Sequence, residues 1–134
     1  PLIPTIEDYV QLIKQKCLTP ADGLTSDQSA SIMLFSLLWQ PIDRCLYTQL
    51  NQILLATDPA VLKPWYSYLK LLLSALIQLP SHDQVVYRGS TSDLHEKYPL
   101  DAVIRWKDLA LCTSSIDHLQ SNSDSGMEGL RTIY

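Results

Sequence analysis

Glycine is scarce in this chain: four residues in 134. That excludes collagen-like and glycine-rich architectures. Positive charge is not in excess either. Ten Lys and Arg against fourteen Asp and Glu give a net charge of −4, which argues against a protein held mainly by phosphate backbones, so no nucleic-acid partner is expected. No apolar run reaches the roughly 18 to 20 residues needed to cross a bilayer. The nearest candidate, Trp65 to Leu79, is interrupted by Ser67, Lys70, Ser74 and Gln78 and reads as a buried helix, so no membrane span is expected. The chain starts at Pro1 with no methionine and no basic-then-apolar leader, which suggests a processed or excised piece. The sequence does not reveal a compartment.

Cysteine and histidine are few and badly spaced for metals. Cys17, Cys45 and Cys112 form no C-x-x-C pair, and His82, His95 and His118 lack ligand spacing, so no metal site is assigned. Two readings of the cysteines stay open: small buried thiols, which free cysteine often supplies, or one disulfide with one thiol left over.

What is present is enough apolar surface for one core. Hydrophobic residues make up 46% and charged residues 18% of the chain, the composition and length of one folded domain. Its first eighty residues carry a helical period. Ile6, Tyr9, Val10 and Ile13 follow a Thr5 cap and predict a helix to about Lys16. Thr19-Pro20-Ala21-Asp22-Gly23 is turn chemistry, and Thr25 with Gln28 matches a capping box. The helix it opens carries Ile32, Met33, Phe35 and Leu38 and is expected to stop before Pro41. Pro41 suits the first turn of a third helix with Leu46, Leu50, Ile53 and Leu54 on its stripe, broken at Asp58-Pro59. A fourth is predicted to start at Pro64, because Lys63 before a proline is biased away from the α region, and to end at Leu79-Pro80.

After Pro80 the period changes. Gln84-Val85-Val86-Tyr87-Arg88, ending at Gly89, is predicted as a strand, as are Ala102 to Trp106, Leu109 to Thr113 and Leu130 to Tyr134. Ser90 to Leu100 reads as a loop or short helix, Ile116 to Leu119 as helical, and Ser121 to Gly126 as an exposed loop. The fold class expected is α+β: a helical lobe of about four helices over residues 1–80, then an incomplete β part over 81–134, one domain in all. A set of strands that stops in mid-pattern needs further chain or a covering layer. Its open strand edges allow association between copies.

Two short motifs carry candidate chemistry. In Val86-Tyr87-Arg88-Gly89, an arginine at a strand end beside glycine places a guanidinium where a backbone approaches a ligand closely. A guanidinium binds phosphate bidentately. The other reading, commoner for so short a string, is an arginine leaving the core at a turn. In Cys112-Thr113-Ser114-Ser115, clustered hydroxyls either hold ribose hydroxyls or cap a turn or the next helix, and capping is again the commoner role.

The order of these pieces resembles the arginine-specific mono-ADP-ribosyltransferases, whose active sites are built from an arginine, a serine motif and a Glu-x-Glu. The likeness runs over nearly the whole chain. It is strongest in Asp22-Gly23-Leu24-Thr25-Ser26-Asp27, Ser29 to Leu34, Leu62-Lys63-Pro64-Trp65 and Tyr68 to Leu71. The resemblance implies an NAD-binding β core in 81–134, with NAD as substrate, Arg88 gripping its phosphates and nicotinamide ribose, and the backbone of Gly89 bonding the carboxamide. It implies that Trp106 to Ser115 carries the serine motif, with Thr113 and Ser114 as further cofactor-binding residues, and that the acceptor in a complete enzyme is a protein arginine.

The chain departs from the family at two places. Leu111 stands where the first serine aligns, and there is no Glu-x-Glu: the glutamates are Glu7, Glu96 and Glu128. That pair stabilises the ribosyl cation as nicotinamide leaves and activates the acceptor, and charge developing in a transition state needs such a fixed anion. No catalytic residue is therefore assigned, and this chain alone is expected not to catalyse transfer. Two alternatives stand beside it: a degenerate relative kept as a binding or regulatory module, and an unrelated helical interaction domain with a small β appendage.

Overall fold

A computed structural model describes residues 5–90, 93–121 and 132–133. The chain forms two compact units, Pro1–Ser81 and His82–Tyr134. In the first, four α-helices run in order: α1 (Ile6–Lys16), α2 (Ser26–Ser36), α3 (Leu46–Leu55) and α4 (Tyr66–Gln78). Short 3-10 turns at Ile42–Arg44 and Pro59–Trp65 precede α3 and α4.

The helix starts follow local chemistry. The Thr5 hydroxyl accepts from the Asp8 N–H at 3.4 Å while the Asp8 carboxylate accepts from the Thr5 N–H at 2.8 Å, closing a capping box on α1. Thr25 and Gln28 do the same for α2, at 3.2 and 2.9 Å, as their spacing predicts. Between the two helices Asp22 and Gly23 both take positive φ, 58° and 69°, which closes the expected turn.

Three helix boundaries differ from expectation. The second helix was expected to run up to Pro41 but ends at Ser36, with Leu37 already extended. Leaving the helix early brings Trp39 onto Tyr9, with ring centroids 4.5 Å apart and nearly parallel, and sets its peptide on Cys45. The Trp39 N–H donates to Cys45 Sγ at 2.9 Å, and the thiol donates back to the Trp39 carbonyl at 3.0 Å. Pro41 precedes a 3-10 turn instead of opening α3, which starts at Leu46. Pro64 lies inside the other 3-10 turn, with Lys63 in it too, and α4 starts at Tyr66. Asp58 fixes that turn: its carboxylate accepts from the Ala60 N–H at 2.8 Å, so the turn begins before the proline rule applies.

The core of this lobe gathers Ile13, Cys17, Ala30, Leu34 and Leu46, with Tyr9, Val10, Leu37, Trp39, Trp65 and Tyr68 against it. Leu50, Leu72 and Cys45 are fully buried. Helix α2 packs on α1, α3 and α4. It is lined on several sides, so its sequence has small and polar residues where a one-sided helix would show a stripe.

Its buried Gln28 and Ser31 are satisfied within a seam against α4. The Gln28 amide donates to the Ser74 hydroxyl at 3.3 Å, Ser31 donates to the Gln28 carbonyl at 2.7 Å, and the Tyr68 phenol donates to the Ser31 carbonyl at 2.8 Å. Phe35 is buried and Tyr9, Trp39, Trp65 and Tyr68 pack against the core, whereas Met33 and Tyr66 are exposed. Cys17 and Cys45 are buried free thiols, whereas Cys112, also free, is exposed and so departs from the buried reading.

The second unit is where expectation and structure part most. Its strands are β1 (Gly89–Ser90) and β2 (Thr132–Ile133), antiparallel, with Gly89 opposite Ile133 and Ser90 opposite Thr132. The runs 84–88, 102–106 and 109–113 form no strand; only Tyr87 and Thr113 meet, in a single antiparallel bridge. β-branched and aromatic residues favour strands only when a neighbouring strand receives them. Val103 is 99% exposed and Val85 71%, and among the described residues these runs meet a neighbouring segment only at the Tyr87–Thr113 bridge. No residue of this unit whose burial is described is buried. Residues 93–100 form a turn, within the predicted loop, and the predicted helix after Ser115 is α5 (Ile116–Ser121). Of the last predicted strand only 132–133 are described; the predicted loop at 122–126 lies outside the described residues, as do Leu130, Arg131 and Tyr134. What is shown is a helical lobe followed by a unit with very little strand.

Burial raises the Tyr68 phenol well above its ordinary pKa of 10. The unfolded chain ionises this tyrosine near pH 10 while the folded chain holds it neutral, so its share of stability is complete below pH 10 and declines above it. Tyr68→Phe is expected to cost about 1 kcal/mol at neutral pH through the lost bond to Ser31. In chemical denaturation across pH 7 to 11.5, the gap between variant and wild type should narrow above about pH 10.

Candidate functional site

Arg88 and Thr113 are brought together by backbone, not by side chains. The Tyr87 N–H donates to the Thr113 carbonyl at 2.7 Å and the Thr113 N–H donates to the Tyr87 carbonyl at 2.9 Å. Two residues that exchange both bonds form the hydrogen-bonded pair of an antiparallel ladder. Arg88 follows one member of this pair and Ser114 the other, and Gly89 continues into β1. All four residues singled out from sequence therefore lie on two segments tied at one point.

Their surroundings differ. The Arg88 side chain is 22% exposed and is not turned to bulk water. Its Nη1 lies 3.7 Å from the Asp108 carboxylate, itself 24% exposed. Its guanidinium carbon stands 5.5 Å above the Trp106 ring. Trp106 in turn meets Tyr98, ring centroids 6.3 Å apart and tilted, and Lys97 lies 5.7 Å over Tyr98. Cation, ring, ring and cation thus alternate. A cation over an aromatic face is worth about 0.5 to 1 kcal/mol at exposed sites.

Thr113 is half-buried and acts as a local cap: its hydroxyl accepts from the Ser115 N–H at 3.1 Å and contacts the Ser115 carbonyl at 3.3 Å. That closes a turn ahead of α5, the turn-capping role that clustered hydroxyls often play. Ser114 is exposed, and Gly89 is half-buried with an ordinary backbone conformation. Leu111 is half-buried.

Sequence reasoning missed Asp108. Nothing in Lys107-Asp108-Leu109 marks it as a partner of an arginine in another segment; only the folded path joins them. Trp106 was read as the end of the 102–106 strand and the start of the serine-motif segment, and it lies instead under the guanidinium. Among the described residues no three His, Cys, Asp or Glu side chains are grouped to hold a metal ion, and no helix is long and apolar enough to cross a membrane.

A concavity lies in the helical lobe, with a volume of about 290 Å³. Val10, Ile13, Ala30, Leu34 and Leu71 line it, and the Lys14–Asp27 ion pair, 3.4 Å apart and well exposed, stands at its edge. It contains none of the residues singled out from sequence.

Comparison of the chain with protein-family models, with curated proteins and with solved structures finds no match in any of the three.

Thr113→Pro removes one of the two bonds that tie the segments and leaves the other without its geometry. Amide hydrogen exchange is expected to show loss of protection at Tyr87. Amides of α1 to α4 should keep theirs, because the helical lobe draws its core from its own residues.

Proposed function

We propose that this chain is a domain of the ADP-ribosyltransferase type in which Arg88 engages the diphosphate of NAD. In a complete enzyme of that type, ADP-ribose passes from NAD to a protein arginine: the glycosidic bond to nicotinamide breaks, a bond from C1 of the ribose to the guanidinium forms, and nicotinamide leaves. The chain holds no Glu-x-Glu, so it supplies no paired carboxylates to steady the cation, and by itself it carries no transfer. The observation that supports the reading most is the Tyr87–Thr113 exchange, since it draws Arg88 and the hydroxyl corner into one small unit.

A second reading has its own support. Leu111 stands where a hydroxyl is needed, and Arg88 already faces a carboxylate. Both suit a degenerate relative that has kept the fold as a binding or regulatory module.

Isothermal titration with NAD separates Arg88 from a bystander. Lysine keeps the charge but not the planar fork, so Arg88→Lys is expected to weaken binding by about tenfold. No nicotinamide should be released by either protein. Equal binding by wild type and Arg88→Lys would remove Arg88 from the site, and release of nicotinamide abolished by Arg88→Ala would show that an acid outside any Glu-x-Glu steadies the cation.

A further inference from the structure

We infer that the helical lobe holds a binding site for a small, neutral, largely apolar molecule carrying one hydrogen-bond donor, seated in the concavity that α1, α2 and α4 line. The site shares no residue with the candidate NAD site and does not rest on that reading.

The walls set the size and polarity of the guest. Helix α2 packs on both α1 and α4 and contributes the buried Ala30, Ser31 and Leu34. Helix α1 adds Ile13 and the half-buried Val10, and α4 adds Leu71 and Tyr68, both half-buried. The volume of about 290 Å³ is roughly twice that of a ~150 Å³ apolar cavity able to hold benzene, so a two-ring molecule fits. Water is held well only where it finds about two to four polar partners, and the polar groups of α2 here are already engaged. The Ser31 hydroxyl donates to the Gln28 carbonyl at 2.7 Å, and the Ser31 carbonyl accepts from Tyr68 at 2.8 Å. An apolar guest that displaces loosely held water gains affinity.

Tyr68 supplies the polar contact, and that contact has a direction. Its phenol gives its one hydrogen to the Ser31 carbonyl, so toward a guest its oxygen can only accept. Both partners of this bond line the concavity, which puts the acceptor at its wall. The matching guest carries an N–H or O–H on an apolar frame.

The rim selects against charge. Lys14 and Asp27 lie 3.4 Å apart there and neutralise each other. An ionic guest of either sign must break that pair or go without a partner, and it loses its own hydration as well.

Titration of indole into the full chain, followed by amide shifts in two-dimensional NMR and by calorimetry, tests this. Benzothiophene keeps the shape of indole with sulfur in place of the N–H, while an indole carboxylate and tryptamine add an anion and a cation. Indole is expected to shift amides within residues 10–14, 27–34 and 68–71. It should bind about fivefold tighter than benzothiophene, the scale of one neutral hydrogen bond. Tyr68→Phe should erase that preference by weakening indole alone. Val10→Trp and Leu71→Trp fill the space from different helices, and each should weaken both ligands by about tenfold or more. Both charged relatives should bind about fivefold more weakly than indole, or worse.

Shifts centred elsewhere, or no shift at all, overturn the site. Equal binding of indole and benzothiophene, or a preference that survives Tyr68→Phe, overturns the acceptor role of Tyr68 and with it the ligand class. A charged relative that binds as tightly as indole does the same. Undiminished binding in a filling variant that circular dichroism shows to be folded also overturns the site. The four ligands compared on wild type decide the matter even where a variant does not fold.

Discussion

Two hydrogen bonds between Tyr87 and Thr113 tie together the two segments that carry the candidate site. No residue of this unit whose burial is described is buried, so apolar burial does little to fix the relation between these segments. Backbone pairing does that instead. A bridge of one residue pair is a weak device beside a full ladder, because each bond adds only about 0.5 to 1.5 kcal/mol net. Yet it determines which side chains share a neighbourhood. Arg88 is one step from the bridge on one segment and the hydroxyl cap is at the bridge on the other. The ion pair with Asp108 and the contact with Trp106 then orient the guanidinium within that frame.

The helical lobe is built on a different principle. Its helices are set by caps that act over three residues and by a core shared among α1, α2, α3 and α4. Polar groups enter that core only where each finds a partner, as Gln28, Ser31, Ser74 and Tyr68 do along the α2–α4 seam. A buried amide left unpaired would cost about 1 to 3 kcal/mol, so the seam holds helix register as well as stability.

This contrast explains what could be read from sequence. Helix positions, the Thr5 cap, the Thr25–Gln28 capping box and the Asp22-Gly23 turn were legible because their causes lie within four residues. Boundaries failed where a distant group intervened: Trp39 leaves α2 to meet Tyr9 and Cys45, and Asp58 starts a turn ahead of Pro64. The strand runs at 84–88, 102–106 and 109–113 failed for a stronger reason. A β-branched run states a preference, and pairing requires a partner that the run itself does not contain. Of the candidate site, Arg88, Gly89, Thr113 and Ser114 were found from residue type and order. Asp108 was hidden, since an acid reveals its cation only once the path between them is folded.

The Cys45 thiol has a consequence for how the helical lobe breathes. Its sulfur accepts from one peptide group of Trp39 and donates to the other, so it is both lock and reporter. An alkylating reagent cannot reach the sulfur while that loop is closed, and once it has reacted the loop cannot close again in the same way. The rate of labelling at this single atom therefore counts opening events of the segment between α2 and α3, while Cys112 at the surface supplies the unprotected rate on the same chain.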